Sequence, residues 1–497
     1  MHGVLSTFNI FYIFLILWYS IHAKKCIDKF PKDFKFGVGT SAYQIEGGWN
    51  ASGKGENIWD RLTHTHPEAI NDRDNGDIAC DSYHLWKTDV ENLKYLGVHH
   101  YRFSLSWSRI LPTGFVNQIN KDGVEYYNNL INSLLANGIE PIVTLYHWDL
   151  PQTLQDLGGW SNVKTADYFA DFVRVAFRLY GNRVKTWTTI NEPYRICYDS
   201  AGDFEISAVP VLPGFGCYLC ARSLLIAHSK AYHIYDKEFR KQQKGKIGII
   251  LDSSWPIPKT NKTDDIEAAE RYIQMMLGWF AHPIFSKDGD YPEIMKKTIQ
   301  ERSAKENYRE SRLPSFTKEE INALKGTSDY LGINHYETEW IENFEFPIGK
   351  PPSYFKDIAV KRSKNPKWKP SPDIVPWGFY KLLRWVAKEY NNPLVYITEN
   401  GYGDNNSNGL QDSNRIVYLA EYMKAVLQAI QDGSNIKKYT VWSFMDNMEW
   451  RRGYSIKYGL FNVDFTSPNR TRTPKTSAKF YKQLIKTGTI PKGTVFQ

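Results

Sequence analysis

Eight short runs of apolar, β-prone residues recur along the chain, and amphipathic stretches separate most of them. The runs are Phe36 to Val38, His99 to Ser104, Glu140 to Tyr146, Lys185 to Asn191, Lys246 to Leu251, Asp329 to Asn334, Leu394 to Thr398 and Lys438 to Phe444. Between them, Asp122 to Asn137 sets Val124, Tyr127, Leu130, Ile131 and Leu134 at helical spacing, and Thr165 to Tyr180 repeats the pattern with Phe169, Phe172, Val173, Ala176 and Phe177. Gly138 and Gly181 follow these two helices where a terminating glycine belongs. Eight such units with buried parallel strands predict an α/β fold, a closed (β/α)8 or TIM barrel with long βα loops. A doubly wound open sheet is the second choice, but the first run is followed by no glycine fingerprint. The longest irregular insertions fall between runs five and six and between six and seven. Phe344 to Asp373, rich in Pro, Lys and Ser, reads as a long loop over the barrel mouth.

Composition narrows the class. The 497 residues are 42% hydrophobic and 23% charged, the balance of a folded globular protein. A net charge of +8 with no basic block excludes a nucleic-acid partner. Phe8 to Ile21 is an apolar run of about 14 residues, short for a membrane span, and it reads as a secretory signal peptide covering residues 1–23. A membrane anchor is the alternative. Residues 24–497, with no linker, are expected to form one secreted barrel domain that does not cross a membrane. Five cysteines, Cys26, Cys80, Cys197, Cys217 and Cys220, leave at least one without an intrachain partner. One loop-bracing disulfide among Cys197, Cys217 and Cys220 is allowed, and no second cysteine pair completes a metal site. With export, Asn50, Asn261, Asn405 and Asn469 become candidate glycosylation sites.

The chemistry collects at the ends of the runs. Glu192 closes the fourth and Glu399 the seventh, two carboxylates far apart in sequence and suited to a site assembled from strand tips. A facing pair of carboxylates is the minimal equipment for glycoside hydrolysis. Around them stand Gln44 and Glu46 after run one, Arg102 in run two, His147 and Trp148 after run three, Asn191, Asn334 and Tyr336, then Trp442, Glu449 and Trp450. Carboxylates, amides and an imidazole suit sugar hydroxyls, and indoles suit the apolar face of a pyranose. The residues alone do not say which glutamate plays which part.

Four segments, in order, resemble glycoside hydrolase family 1 β-glucosidases of the secreted insect type. They are Phe34 to Gly47, Tyr101 to Ile110, Thr189-Ile190-Asn191-Glu192-Pro193 and Ile397-Thr398-Glu399-Asn400-Gly401, and the likeness runs from about Phe30 to Leu484. The resemblance implies a retaining mechanism with Glu192 as general acid/base and Glu399 as nucleophile. Arg102 and Tyr336 would hold the nucleophile. Gln44, His147, Asn191, Glu449 and Trp450 would hold the sugar hydroxyls, with Trp442 as a platform beneath the ring. No cofactor or metal is implied. The implied substrate is a small glucoside, and the oligomeric state is open between monomer and homodimer. The chain departs from the family pattern at Asp199 to Phe204 and Val209 to Gly214, beside the leaving-group side. Arg195, three residues after Glu192, either lines that side or braces a loop. Lining it would permit an anionic leaving group, as in the glucosinolates cleaved by insect myrosinases, which are also similar to this chain. A transglycosylating or catalytically altered relative completes the alternatives.

Overall fold

The computed structural model describes residues 28–200, 212–349, 351–369, 371, 373–405 and 409–491. Eight strands close into a barrel: β1 (Lys35–Gly39), β2 (His100–Ser104), β3 (Glu140–Tyr146), β4 (Thr186–Asn191), β5 (Lys246–Asp252), β6 (Leu331–Asn334), β7 (Val395–Asn400) and β8 (Ile436–Trp442). All neighbours pair in parallel, and β8 returns to β1 in a continuous register from Lys35↔Lys438 to Gly39↔Trp442. The (β/α)8 expectation is met, with strand limits within two residues of the sequence reading. Every residue of β2, β4, β6 and β7 is buried. One face packs against the surrounding helices and the other fills the barrel, which is why the runs show little polar alternation. Gly37 makes room inside the barrel. A Cβ there would lie 2.2 Å from His100 Cδ2, and its absence lets the imidazole cross the interior to Thr440 Oγ1 at 2.9 Å.

The two amphipathic stretches form helices Lys121–Ala136 and Thr165–Tyr180. Gly138 is left-handed, at φ +70°, as a helix-terminating glycine should be. Gly181 corrects the sequence reading. Its φ is −67°, so any residue could adopt the backbone, and the constraint is close approach instead. A Cβ would sit 2.0 Å from Gln243 Oε1, whose amide donates to Phe177 O and binds the helix end.

The insertions are more regular than expected. The segment after β5 holds strand Trp255–Pro258 and helices that include Thr263–Ile273 and Glu293–Lys305. The stretch 344–373 carries helix Tyr354–Ile358 and strand Val360–Ser363, which pairs antiparallel with Thr338–Asn343 in a three-stranded sheet. Asp357 anchors this insertion, buried between Arg312 (2.6 Å) and the Tyr218 hydroxyl (2.5 Å). The disulfide is Cys197–Cys220, with Cα atoms 5.5 Å apart, and Cys80 and Cys217 are buried thiols. It ties helix Pro193–Ser200, which begins directly after Glu192, to helix Gly216–Ile234. Residues 1–27, with Cys26 and the stretch read from the sequence as a signal peptide, and most of the divergent stretch 199–214 lie outside the described residues. Among the described residues, no helix is long and apolar enough to cross a membrane.

Candidate active site

The C-terminal ends of the strands surround a cavity of about 550 Å³, lined in part by His147, Asn191, Glu192, Tyr336, Glu399 and Trp442. The two glutamates reach it because their strands slip. Between Thr188 and Asn191, β4 runs three residues while β5 runs two, and between Ile397 and Glu399, β7 runs two while β6 runs one. An extra residue at a strand tip re-aims the side chains beyond it. Glu192 completes its turn with φ +50°, and its N–H donates to Ile250 O at 2.9 Å. Trp148 and Trp450, at φ +76° and +51°, are also left-handed, so three non-glycine residues of this rim occupy a costly conformation.

The carboxylates have different company. Glu399 accepts from Arg102 Nη1 at 2.5 Å on Oε1 and from the Tyr336 hydroxyl at 2.6 Å on Oε2. Arg102 is fully buried and spends its other donors on Asn191 Oδ1 (2.7 Å) and Thr144 Oγ1 (3.2 Å). A buried guanidinium with every face satisfied can hold a buried carboxylate ionised. Glu192 accepts from a neutral donor, Asn334 Nδ2, at 2.6 Å. The same Asn334 Nδ2 also reaches Asn191 Oδ1 (3.2 Å), and its Oδ1 accepts from Thr398 (2.7 Å), which sets the amide orientation.

Burial pushes both carboxyls above their usual range. For Glu192 the negative charges of Asp252 and Glu399 add to burial and hold it well above. For Glu399, Arg102 and Tyr336 oppose the burial. One proton shared by the pair therefore resides on Glu192. Tyr336 is held well above its usual value by burial and by Glu399, so it remains a donor. Burial holds His147 well below the usual imidazole range, and it is neutral.

At the cavity floor, His147 stacks at 5.8 Å on both Trp442 and Trp450, and Trp450 packs at 4.7 Å against Trp148 and Trp59. Glu449 is pushed up to about 8, by burial first and then by the charge of Glu399. Gln44 is enclosed behind it. Its Oε1 accepts from Ser41 and its Nε2 donates to Asn447, Met448 O and, at 3.4 Å, Glu449. Arg195 lines the cavity and also braces, with its Nε donating to Asp252 Oδ2 at 2.8 Å.

A model of glycosyl hydrolase family 1 matches residues 26–489. The chain belongs to this family. It is 49% identical over 470 residues to myrosinase 1 of Brevicoryne brassicae, covering 93% of this chain and 99% of that one. It is 44% identical over 465 residues to the human cytosolic beta-glucosidase, covering 92% and 98%. Among solved structures, an aphid myrosinase superposes with a TM-score of 0.86 at 48% identity, covering 93% of this chain and all of that one. A family 1 β-glucosidase from Thermotoga maritima gives 0.82 at 37%, covering 94% and 100%. The likeness extends through the whole barrel, and the chain is a retaining β-glycosidase.

Within this family site, several residues escaped the sequence reading. Asp252 ends β5 one residue beyond the run as first drawn, and the strand-end criterion that singled out Glu192 would have found it. Asn334 is a strand-end amide to which the sequence alone assigns no role. Glu337, Lys364 and Asp373 line the outer cavity, with Lys364 between the two acids at 3.0 and 2.8 Å. Their meeting depends on the folded insertion and has no local sequence signal.

Proposed function

We propose that this protein hydrolyses the β-glucosidic bond of a small, neutral O-glucoside, with Glu399 as nucleophile and Glu192 as acid/base. The observation that carries the assignment is the asymmetry of partners: a guanidinium and a phenol on Glu399, an amide and a neighbouring acid at Glu192. The Glu399 carboxylate attacks the anomeric carbon as the bond to the leaving oxygen breaks, and that oxygen takes the Glu192 proton. Esterification removes the Glu399 charge, so one of the influences keeping Glu192 protonated disappears. Ionised Glu192 then takes a proton from water, the water oxygen attacks the anomeric carbon, and Glu399 departs as carboxylate. His147, Asn191, Glu449, Trp450 and Trp442 supply the glucose-binding surface, and Gln44 reaches it through Glu449.

The leaving-group side supports a neutral aglycone. Arg195 is offset by Asp252, and Lys364 by Glu337 and Asp373. A second reading, a thioglucosidase acting on an anionic glucosinolate, draws on the further cations Arg451 and Arg452 on the cavity wall and on the likeness to aphid myrosinase. Purified protein tested on cellobiose, salicin, a cyanogenic glucoside, an iridoid glucoside and a glucosinolate separates the two. Turnover of the glucosinolate alone would overturn the neutral reading. A 2-deoxy-2-fluoroglucoside should label Glu399, and Glu399→Gln should abolish turnover. We also propose that residues 1–23 direct export. The four sequon asparagines, Asn50, Asn261, Asn405 and Asn469, are all exposed, and a mass shift on glycosidase treatment of the secreted protein tests their use.

A further inference from the structure

Glu192 performs opposite proton tasks in the two half-reactions, and beside it lies an ion pair that neither half-reaction uses. Asp252 is the last residue of β5, the strand next to β4, and it is 4% exposed. Arg195 stands in the first turn of the helix that follows Glu192 and clamps Asp252 Oδ2. Asp252 Oδ1 is buried without a hydrogen-bond partner, and both side chains line the cavity. The groups facing Glu192 come from every neighbouring element: Asp252 from β5, Glu399 from β7, Tyr336 after β6 beside the neutral Asn334, and Arg195 from its own helix. Arg102 of β2 and neutral His147 after β3 approach through Asn191. Around the pair itself stand Arg362, Glu337 and Lys364.

We propose that the Asp252–Arg195 pair is a positioning device for the Glu192 proton: the Asp252 charge retains that proton in the free enzyme, and Arg195 keeps Asp252 ionised and in place. A buried carboxylate with one oxygen unmatched would otherwise take up a proton itself and fall silent. Burial pushes Asp252 upward and Arg195 is the first influence opposing it. At Glu192 the Asp252 charge adds to that of Glu399 in holding the proton, and Arg195 opposes it. The pair thus presents the acid with a buried negative charge held in place by its own cation. It persists when Glu399 is esterified, so it sets the part of the Glu192 affinity that does not change through the cycle.

This inference rests on Glu192 being the acid/base, and the test separates the two. The basic limb of kcat/KM against pH reports the acid of the free enzyme. With phenyl β-glucoside, Asp252→Asn should move that limb to lower pH by about half a unit or more and leave the acidic limb in place. Asp252→Ser, also uncharged, should do the same if the asparagine variant does not accumulate. Arg195→Lys should keep the native limb. Asp252→Asn combined with Arg195→Gln, which removes both charges, should bring the limb back toward the native position. With 2,4-dinitrophenyl β-glucoside, whose leaving group needs no proton, none of these shifts should occur. A native limb in both Asp252 variants, or an equal shift with both substrates, overturns the inference. A basic limb for phenyl glucoside that survives Glu192→Gln instead overturns the acid/base reading itself.

Discussion

Removing the Tyr336 hydroxyl tests the proposed nucleophile role of Glu399 most directly. In Tyr336→Phe, Glu399 loses the donor on Oε2 at 2.6 Å and keeps Arg102 on Oε1 at 2.5 Å. A hydrogen bond to a charged group is worth about 1.5–3 kcal/mol. Here it favours only the ionised form, because the phenol, held far above neutrality, cannot give up its proton. At 1.36 kcal/mol per pH unit, its loss raises the Glu399 titration by roughly 1–2 units, less if water takes the vacated place. The sign follows from the proposed role: as the nucleophile Glu399 must be ionised to attack, so activity on the acid side is lost first. The assay is kcat/KM for p-nitrophenyl β-glucoside from about pH 4 to about pH 8. The acidic limb should move to higher pH by about one unit, with the basic limb much less affected. An acidic limb that stays put or moves down would refute the reasoning. A shift confined to the basic limb would mean that Tyr336 acts mainly on Glu192.

Three further outcomes are expected. Glu449 is raised to about 8 in the folded protein, so it keeps a proton that the unfolded chain releases above about pH 4.5. Its contribution is therefore lost as pH rises toward 8, and Glu449→Gln should gain in Tm relative to the native protein between about pH 5 and about pH 8; a constant difference would contradict this. Replacing Cys197 and Cys220 by Ala should lower unfolding stability by about 3 kcal/mol, read from the denaturant midpoint, because a 23-residue closure is lost. Gly37→Ala should cost at least about 3 kcal/mol or prevent accumulation, since its Cβ would meet both the His100 ring and the backbone oxygen at 2.4 Å. A thermally native Gly37→Ala would show that the barrel interior yields more readily than its packing implies.

The barrel was legible because every strand carries its burial on both faces, and a short β-prone run between amphipathic helices has few other uses. The glutamates were legible for a related reason: a charged residue at the tip of such a run is costly unless it works. What stayed hidden depends on distance. Arg195 could be placed beside Glu192, but its partner Asp252 lies 57 residues later and meets it only because β4 and β5 are neighbours. Asn334 looks like any strand-end amide until Thr398 and Glu192 close on it. Strand Val360–Ser363 reads as loop because its last three residues are exposed and polar, and its pairing with Thr338–Asn343 supplies the order that its own side chains do not. Gly181 is glycine because of its crowded neighbour Gln243, not a left-handed turn, and the sequence letter is the same for both.

The slips in β4 and β7 make the facing of each glutamate a matter of counting. No contact made by Glu192 or Glu399 can compensate for one residue added or lost between Thr188 and Asn191 or between Ile397 and Glu399, because the whole tip would turn outward. The loops beyond those tips are under no such arithmetic. This divides the upper barrel into two inheritances, a few peptide units whose number cannot vary and long connections whose length can. New leaving groups can be explored by rewriting the connections, while the spacing that aims the acids tolerates no such change.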